Sequence, residues 1–248
     1  MVDLTIFTLP KPFDGDRGIA QRNGIASWLR LGAHVAALCV SEADAAVAQN
    51  LGAEAQLGLE LYADRWPYLP SVFALGEQGA PTETLAFIHP DNILMRDFAA
   101  AVEAVQGVDT FLMVGRRTDV EIDTLLDFDD PGWEAALRAQ AEPARDSGGP
   151  FAMDYFVYRP RGLFGEIPPF VIGFYWFDNW LMRRAINAGV TTIDASAAVL
   201  CVHQKHPVRV QPDAAQAQEN QRLTNGAVSS IDGASHFLTT AGELILKR

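Results

Sequence analysis

The chain is poor in cysteine, in basic charge and in long apolar runs, and each shortage narrows what it can be. Only two cysteines occur in 248 residues, Cys39 and Cys201. Each lies inside an apolar run ("AALCVS", "AVLCVH"), so buried free thiols are expected rather than a disulfide or a metal pair. Lysine and arginine number 19 against 31 acidic residues, for a formal charge of -12. That balance argues against neutralising nucleic-acid phosphates over a broad basic face, but leaves room for a small nucleotide in a local pocket. No run approaches the apolar length of a membrane span. The start, "MVDLTIFTLPKPF", has an acid at position 3 and none of the basic, apolar and small-residue stretches of a secretory signal, so a cytoplasmic protein is expected.

Motifs are missing as well. No G-x-G-x-x-G follows the first strand-like run and no G-x-x-x-x-G-K-S/T occurs, so neither a dinucleotide site nor a P-loop is indicated. There is no G-x-S-x-G nucleophile elbow. With no internal repeat and no long linker, a single domain over 1–248 is the economical expectation.

What is present is an alternation. Strand-like runs at 4–9, 33–41, 83–90 and 110–117 are interleaved with helix-like stretches at 18–32, 42–52 and 97–107, which implies an α/β fold with a mostly parallel central sheet flanked by helices. Ligands of open sheets gather beyond the C-terminal strand ends. Leu9-Pro10-Lys11, His89 to Asn92 and Gly115-Arg116-Arg117 all fall there. The second half is less regular. "EPARDSGGP" (142–150) reads as a mobile loop, 151–160 as a strand carrying Asp154, 176–189 as a helix capped by Asp178 or Asn179, 190–206 as β-rich, and the last stretch, "SHFLTTAGELILKR", as helix-like.

Four groups of residues bear on chemistry. Asp91 at a strand end is placed to bind a divalent cation, with His89 and Asn92 beside it. By themselves, however, Pro90-Asp91-Asn92 read more simply as a turn. "VHQKH" ends an apolar run with His203 and His206. No HExxH or paired CxxC accompanies them, so one histidine completing a carboxylate-bound Mn or Mg site competes with two surface histidines. In "WFDNW", Trp176, Phe177 and Trp180 are candidates for an acceptor platform, and their apolar surroundings would suit Asp178 to general-base work. A helix cap among core aromatics is the competing reading. Asp154 in "MDYFVY" needs a partner or a task, and Arg116 and Arg117 either contact phosphates or are solvated.

Taken in order, "TIFTLPKPFDGD", "IAQRNGIASWLRL", "FIHPDNILMRDF", "FLMVGRRTD", "DYFVYRPRGLF", "IPPFVIG", "FDNWL" and "VHQKH" resemble glycosyltransferases of the GT-A type, the nucleotide-diphospho-sugar transferase superfamily. The resemblance implies a Rossmann-like GT-A domain with a nucleotide-binding half (1–117) and a modified acceptor-binding half (118–248). It also implies a nucleotide-sugar donor, a hydroxyl-bearing acceptor and Mn2+ or Mg2+ between them. Thr8, Lys11, Arg22, Asn23 and Arg116 would contact the nucleotide together with Asp91. Asp91 and His203 would hold the metal, Asp178 and Asp154 would be catalytic, and Trp176 and Trp180 would meet the acceptor. The chain departs from its apparent relatives at His89–Asn92, at Phe174 and at Phe177. Those departures keep a non-catalytic nucleotide- or glycan-binding protein alongside. A sugar-phosphate nucleotidyltransferase, which shares the fold, ranks last because "LPKPFDGDRG" matches its glycine-rich, arginine-containing loop poorly.

Overall fold

The computed structural model describes residues 2–206 and 213–247. Strands β1 (Thr5–Thr8), β2 (His34–Leu38) and β3 (Glu54–Gln56) alternate with helices α1 (Gly15–Arg30) and α2 (Glu42–Leu51). Ser41 caps α2 by accepting the Asp44 N–H, and Gly52 closes it at φ 100°, a conformation that costs a residue without a side chain little. A short hairpin, β4 (Leu61–Tyr62) and β5 (Trp66–Pro67), leads into α3 (Leu69–Glu77), β6 (Leu85–Ile88), β7 (Asn92–Ile93) and α4 (Arg96–Ala104). The long β8 (Phe111–Val120), α5 (Trp133–Ala141) and β9 (Met153–Tyr158) follow. Then come α6 (Phe177–Asn187), β10 (Thr191–Asp194), β11 (Cys201–Gln204), α7 (Ala214–Leu223), β12 (His236–Leu238) and β13 (Leu244–Leu246).

The sheet runs β13-β12-β10-β8-β9-β6-β1-β2-β3. Along this path only β9 and β13 oppose the common direction, so the expected mostly parallel sheet is what forms. Its central strands β1, β6 and β9 are buried on both faces, whereas the edge strands β3 and β13 are partly exposed. Leu4 and Ile6 pack with Trp28, Phe98 and Val102 under α1 and α4. Phe7 and Leu9 point the other way, toward Phe73, Leu181 and Met182 under α3 and α6. Beyond the main path, β11 pairs with the far end of β8 and with β7, forming a small flap past the sheet's C-terminal edge. None of the helices among the described residues is long and apolar enough to cross a membrane.

Three expectations are corrected. The last stretch is not a helix. Thr239 and Gly242 (φ 79°) turn the chain between β12 and β13, and β12 extends the sheet beside β10. β-Branched threonines beside a glycine favour that hairpin over a helix interior. Residues 142–150 are tied down: Arg145 donates to the Ser196 and Ala197 carbonyls, and the Gly148 N–H donates to the Arg117 carbonyl. Finally, α6 is not capped by Asp178 or Asn179, both of which lie inside it. It starts after Trp176, held at φ 90°, and the Asp178 carboxylate turns toward His89 instead.

Candidate functional site

The C-terminal ends of β1 and β6 are tied together by the Thr8 hydroxyl, which donates to the Ile88 carbonyl at 2.6 Å. Beyond Ile88 the chain makes the Pro90–Asp91 turn, closed by the Asn92 N–H on the His89 carbonyl. The turn is clamped from two sides. Trp28 Nε1 donates to the Asn92 carbonyl, and the Gln204 backbone and side-chain N–H groups both donate to the Asp91 carbonyl. On the α1 side the approach is so close that a Cβ on Gly24 would lie 2.3 Å from the Pro90 oxygen. Gly24→Ala is therefore expected to push this turn outward, costing about 1–3 kcal/mol in denaturant unfolding and weakening divalent-metal binding by calorimetry. A variant that loses neither shows the turn is not held by this contact.

The turn aims the Asp91 carboxylate at two imidazoles on the β11 flap. Asp91 Oδ2 is 2.9 Å from His206 Nε2 and 3.7 Å from His203 Nε2. One ligand atom from each of the three lies within 4.8 Å of the others, an arrangement able to hold a divalent metal. His203 turns its other nitrogen, Nδ1, to Asp119 Oδ1 at 2.8 Å, the kind of carboxylate partner that orients metal-binding histidines. Burial works against charge on Asp91. The hydrogen bond from His206 and the nearby His203, His89 and His206 outweigh it, and the carboxyl titrates well below its usual range.

A second charged group lies beside the first. The Asp154 carboxylate, 3 % exposed, receives Arg117 Nη1 at 3.2 Å and faces His89 Nδ1 at 3.5 Å. His89 Nε2 in turn faces Asp178 Oδ1, also at 3.5 Å. Burial disfavours a charged His89, yet Asp154 and Asp178 override it and raise the imidazole to about 10. Asp154 is lowered to about 2 against its own burial by His89 and Arg117. Asp178 goes the other way: burial, reinforced by Asp154, raises it despite His89.

Asp91, His206, His89 and Asp178 line one cleft of about 200 Å³, together with Lys11, Arg17 and the aromatic wall of Phe174, Tyr175 and Phe177. The cleft runs on past Lys11, Arg17 and Tyr175 into a groove of about 390 Å³ bordered by Ser41, Asp44 and Trp66. Lys11 is fixed by Gln21, which bonds both its N–H and its carbonyl. Burial lowers the Lys11 amine, Asp91 opposes that shift and Arg17 adds to it. Two cations therefore stand at the junction of cleft and groove in a chain of charge -12, which favours an anionic ligand there.

The structure thus brings Lys11, Asp91, Asp154, Asp178 and His203 into one neighbourhood. It places the other expected residues outside the cleft and the groove. Thr8 is consumed in the β1–β6 tie. Asn23 is buried, bonded to the Thr124 carbonyl, the Leu126 N–H and Gln204. Arg22 lies over the Phe13 ring, and Arg116 pairs with Asp232. Trp176 takes the left-handed backbone position that starts α6, while Trp180 packs on Phe170 in the core. Phe174, one of the positions of departure, is buried edge-on against Trp66. Arg17 and Asp119 were not singled out from sequence, whereas His206 was weighed beside His203 as a metal ligand and Arg117 beside Arg116 as a phosphate contact.

No family model matches the chain and no curated protein matches it. Among solved structures, TarS of S. aureus in complex with UDP-GlcNAc matches at a TM-score of 0.54 and 11% identity, covering 90% of this chain and 65% of that one. GalNAc-T7 with UDP, GalNAc and Mn2+ matches at 0.57 and 11%, covering 91% and 48%. A mycobacterial protein matches at 0.51 and 14%, covering 92% and 75%. The chain spans about two-thirds of the first of these and about half of the second. At such identities the likeness is one of fold alone, the GT-A-like α/β fold with a mostly parallel central sheet flanked by helices.

Proposed function

We propose that this protein is a metal-dependent glycosyltransferase that moves a sugar from a nucleoside diphosphate to a hydroxyl acceptor. The observation that carries the reading is the convergence of the Asp91–His203–His206 triad, the Lys11–Arg17 cations and Asp178 on one cleft. The UDP-GlcNAc of TarS, and the UDP, GalNAc and Mn2+ of GalNAc-T7, support a donor of that class. Two imidazoles and one carboxylate suit Mn2+ better than Mg2+, which prefers an all-oxygen shell.

A bound divalent ion supplies positive charge against the departing diphosphate. Lys11 and Arg17 add to that charge from the β1–α1 loop and fix the diphosphate at the junction of groove and cleft. The groove, with Trp66 and Ser41, takes the nucleoside. Asp178 accepts the proton of the acceptor hydroxyl as the new glycosidic bond forms and the bond to the diphosphate breaks. Its raised pKa makes it a stronger base than an ordinary carboxylate.

The test is a thermal-shift panel of nucleotides and nucleotide sugars with and without Mn2+, followed by product analysis. A nucleotide sugar that stabilises the protein only with Mn2+, and then releases nucleoside diphosphate, is the expected result. Lys11 and Arg17 beside the triad would equally hold a triphosphate, which favours nucleotidyl transfer as the second reading. Pyrophosphate release from a nucleoside triphosphate with a sugar phosphate would select it. Stabilisation without turnover would leave a binding protein, and no stabilisation by any nucleotide sinks all three.

A further inference from the structure

One guanidinium joins the two charged groups of the site. Arg117 Nε lies 3.0 Å from Asp119 Oδ1, and its Nη1 lies 3.2 Å from Asp154 Oδ2. Asp119 holds His203 of the triad, and Asp154 faces His89, which faces Asp178. A chain of charge contacts therefore runs from the metal-binding triad through Arg117 to the acid on the opposite wall of the cleft. It is hydrogen-bonded at His203–Asp119 and at Arg117 Nη1–Asp154, while Arg117 Nε approaches Asp119 and His89 Nε2 approaches Asp178 by charge without a hydrogen bond. The fold takes trouble over this residue. A bulge where β9 crosses β8 sets Asp154 and Tyr155 against the single residue Gly115, and Asp154 reaches Arg117 across it. Bulges beside functional sites commonly re-aim a side chain in this way. On the other side, Gly148 covers the arginine stem so closely that a Cβ there would lie 2.6 Å from Arg117 Cγ.

We propose that Arg117 is a positioning residue that couples the geometry of the metal triad to that of Asp178. The planar guanidinium can hold two carboxylates in a fixed fork, which a lysine ammonium, a mobile point charge, cannot. The inference rests on the reading of Asp91, His203 and His206 as metal ligands. Its test does not require turnover or a known substrate.

The measurement is a long-range 1H–15N spectrum of the histidine rings in the metal-free protein, paired with Mn2+ titration by electron paramagnetic resonance. Arg117→Met removes the fork, and Arg117→Lys keeps the charge should the first variant fold poorly. Either variant is expected to shift both the His89 and His203 ring signals, leave His34 and His236 in place, and weaken Mn2+ binding about tenfold, the lower end of what outer-sphere partners cost. Asp154→Asn, which does not touch the triad, is expected to shift His203 when Arg117 is present but not in the Arg117→Lys background. If His89 or His203 stays unmoved in both arginine variants, the coupling is overturned. So it is if Asp154→Asn moves His203 equally in both backgrounds, or if the variants merely lower the melting temperature while binding Mn2+ as before. A protein that fails the nucleotide-sugar panel but shows the paired ring shifts would refute the transferase reading and leave the coupling standing.

Discussion

Asp91→Asn is expected to remove Mn2+ binding, with a loss of more than about 100-fold in affinity, beyond the range that partners of metal ligands usually cost. Asp91 is the only carboxylate of the triad, and its oxygen is the one both imidazole nitrogens approach. An amide of the same shape offers a neutral oxygen, so the attraction for a divalent ion falls while the volume is unchanged. The backbone clamps on this turn survive the substitution, because Gln204 and Trp28 bond carbonyls and not the Asp91 side chain. The variant should accordingly stay folded by circular dichroism while nucleotide-sugar stabilisation loses its Mn2+ dependence. Mn2+ affinity within a few-fold of the parent would mean that the triad is not the metal site.

How much of this was legible beforehand depends on the kind of signal each residue gives. The sheet was legible because both faces of its central strands are buried, so that "LTIFTL", "LAFI" and "FLMV" read as short apolar runs punctuated by proline, glycine and polar residues. Asp91 ends such a run, but its own neighbours read more simply as a turn, and only the resemblance made it a candidate metal ligand. His206 was harder. Strand periodicity relates residues two apart, whereas His203 and His206 are three apart and β11 stops at Gln204, so only the path of the chain beyond the strand shows that both rings reach Asp91.

Arg116 and Arg117 illustrate the same limit. Neighbours on a strand point to opposite faces, so they could not share a task, and the sequence does not say which one meets Asp154. The answer depends on where Asp154 lies, and that is set by a bulge that nothing in "MDYFVY" announces. Aromatic residues misled for a related reason. Trp180 looked like a platform because it flanks Asp178, but two helical residues along from Asp178 it is carried onto the inner face of α6, against Phe170. The aromatic surface that does line the cleft comes from Phe174, Tyr175 and Phe177, on the loop before the helix and at its start.

Asp178→Asn carries the other large expected effect, on kcat and not on donor binding. A positioned general base contributes typically about 10²–10⁴-fold, and Asp178 is the carboxylate of the cleft that the triad does not use. A loss of about 1,000-fold in kcat with little change in the KM for the nucleotide sugar is the expected outcome, the signature of an interaction made in the transition state. The pH profile gives an independent reading. Burial and Asp154 raise Asp178, so the group keeps its proton to a higher pH than an ordinary carboxylic acid. The base form is then lost as pH falls through that raised value, and kcat/KM should fall with it, on an acid limb lying above the usual carboxylate range and absent from the asparagine variant. Because a carboxylate base that deprotonates an incoming hydroxyl acts on the face opposite the departing diphosphate, the product should carry the inverted anomeric configuration by proton NMR. A retained configuration, or an Asp178→Asn enzyme within a few-fold of the parent kcat, would remove Asp178 from the chemistry and leave it a binding residue of the cleft.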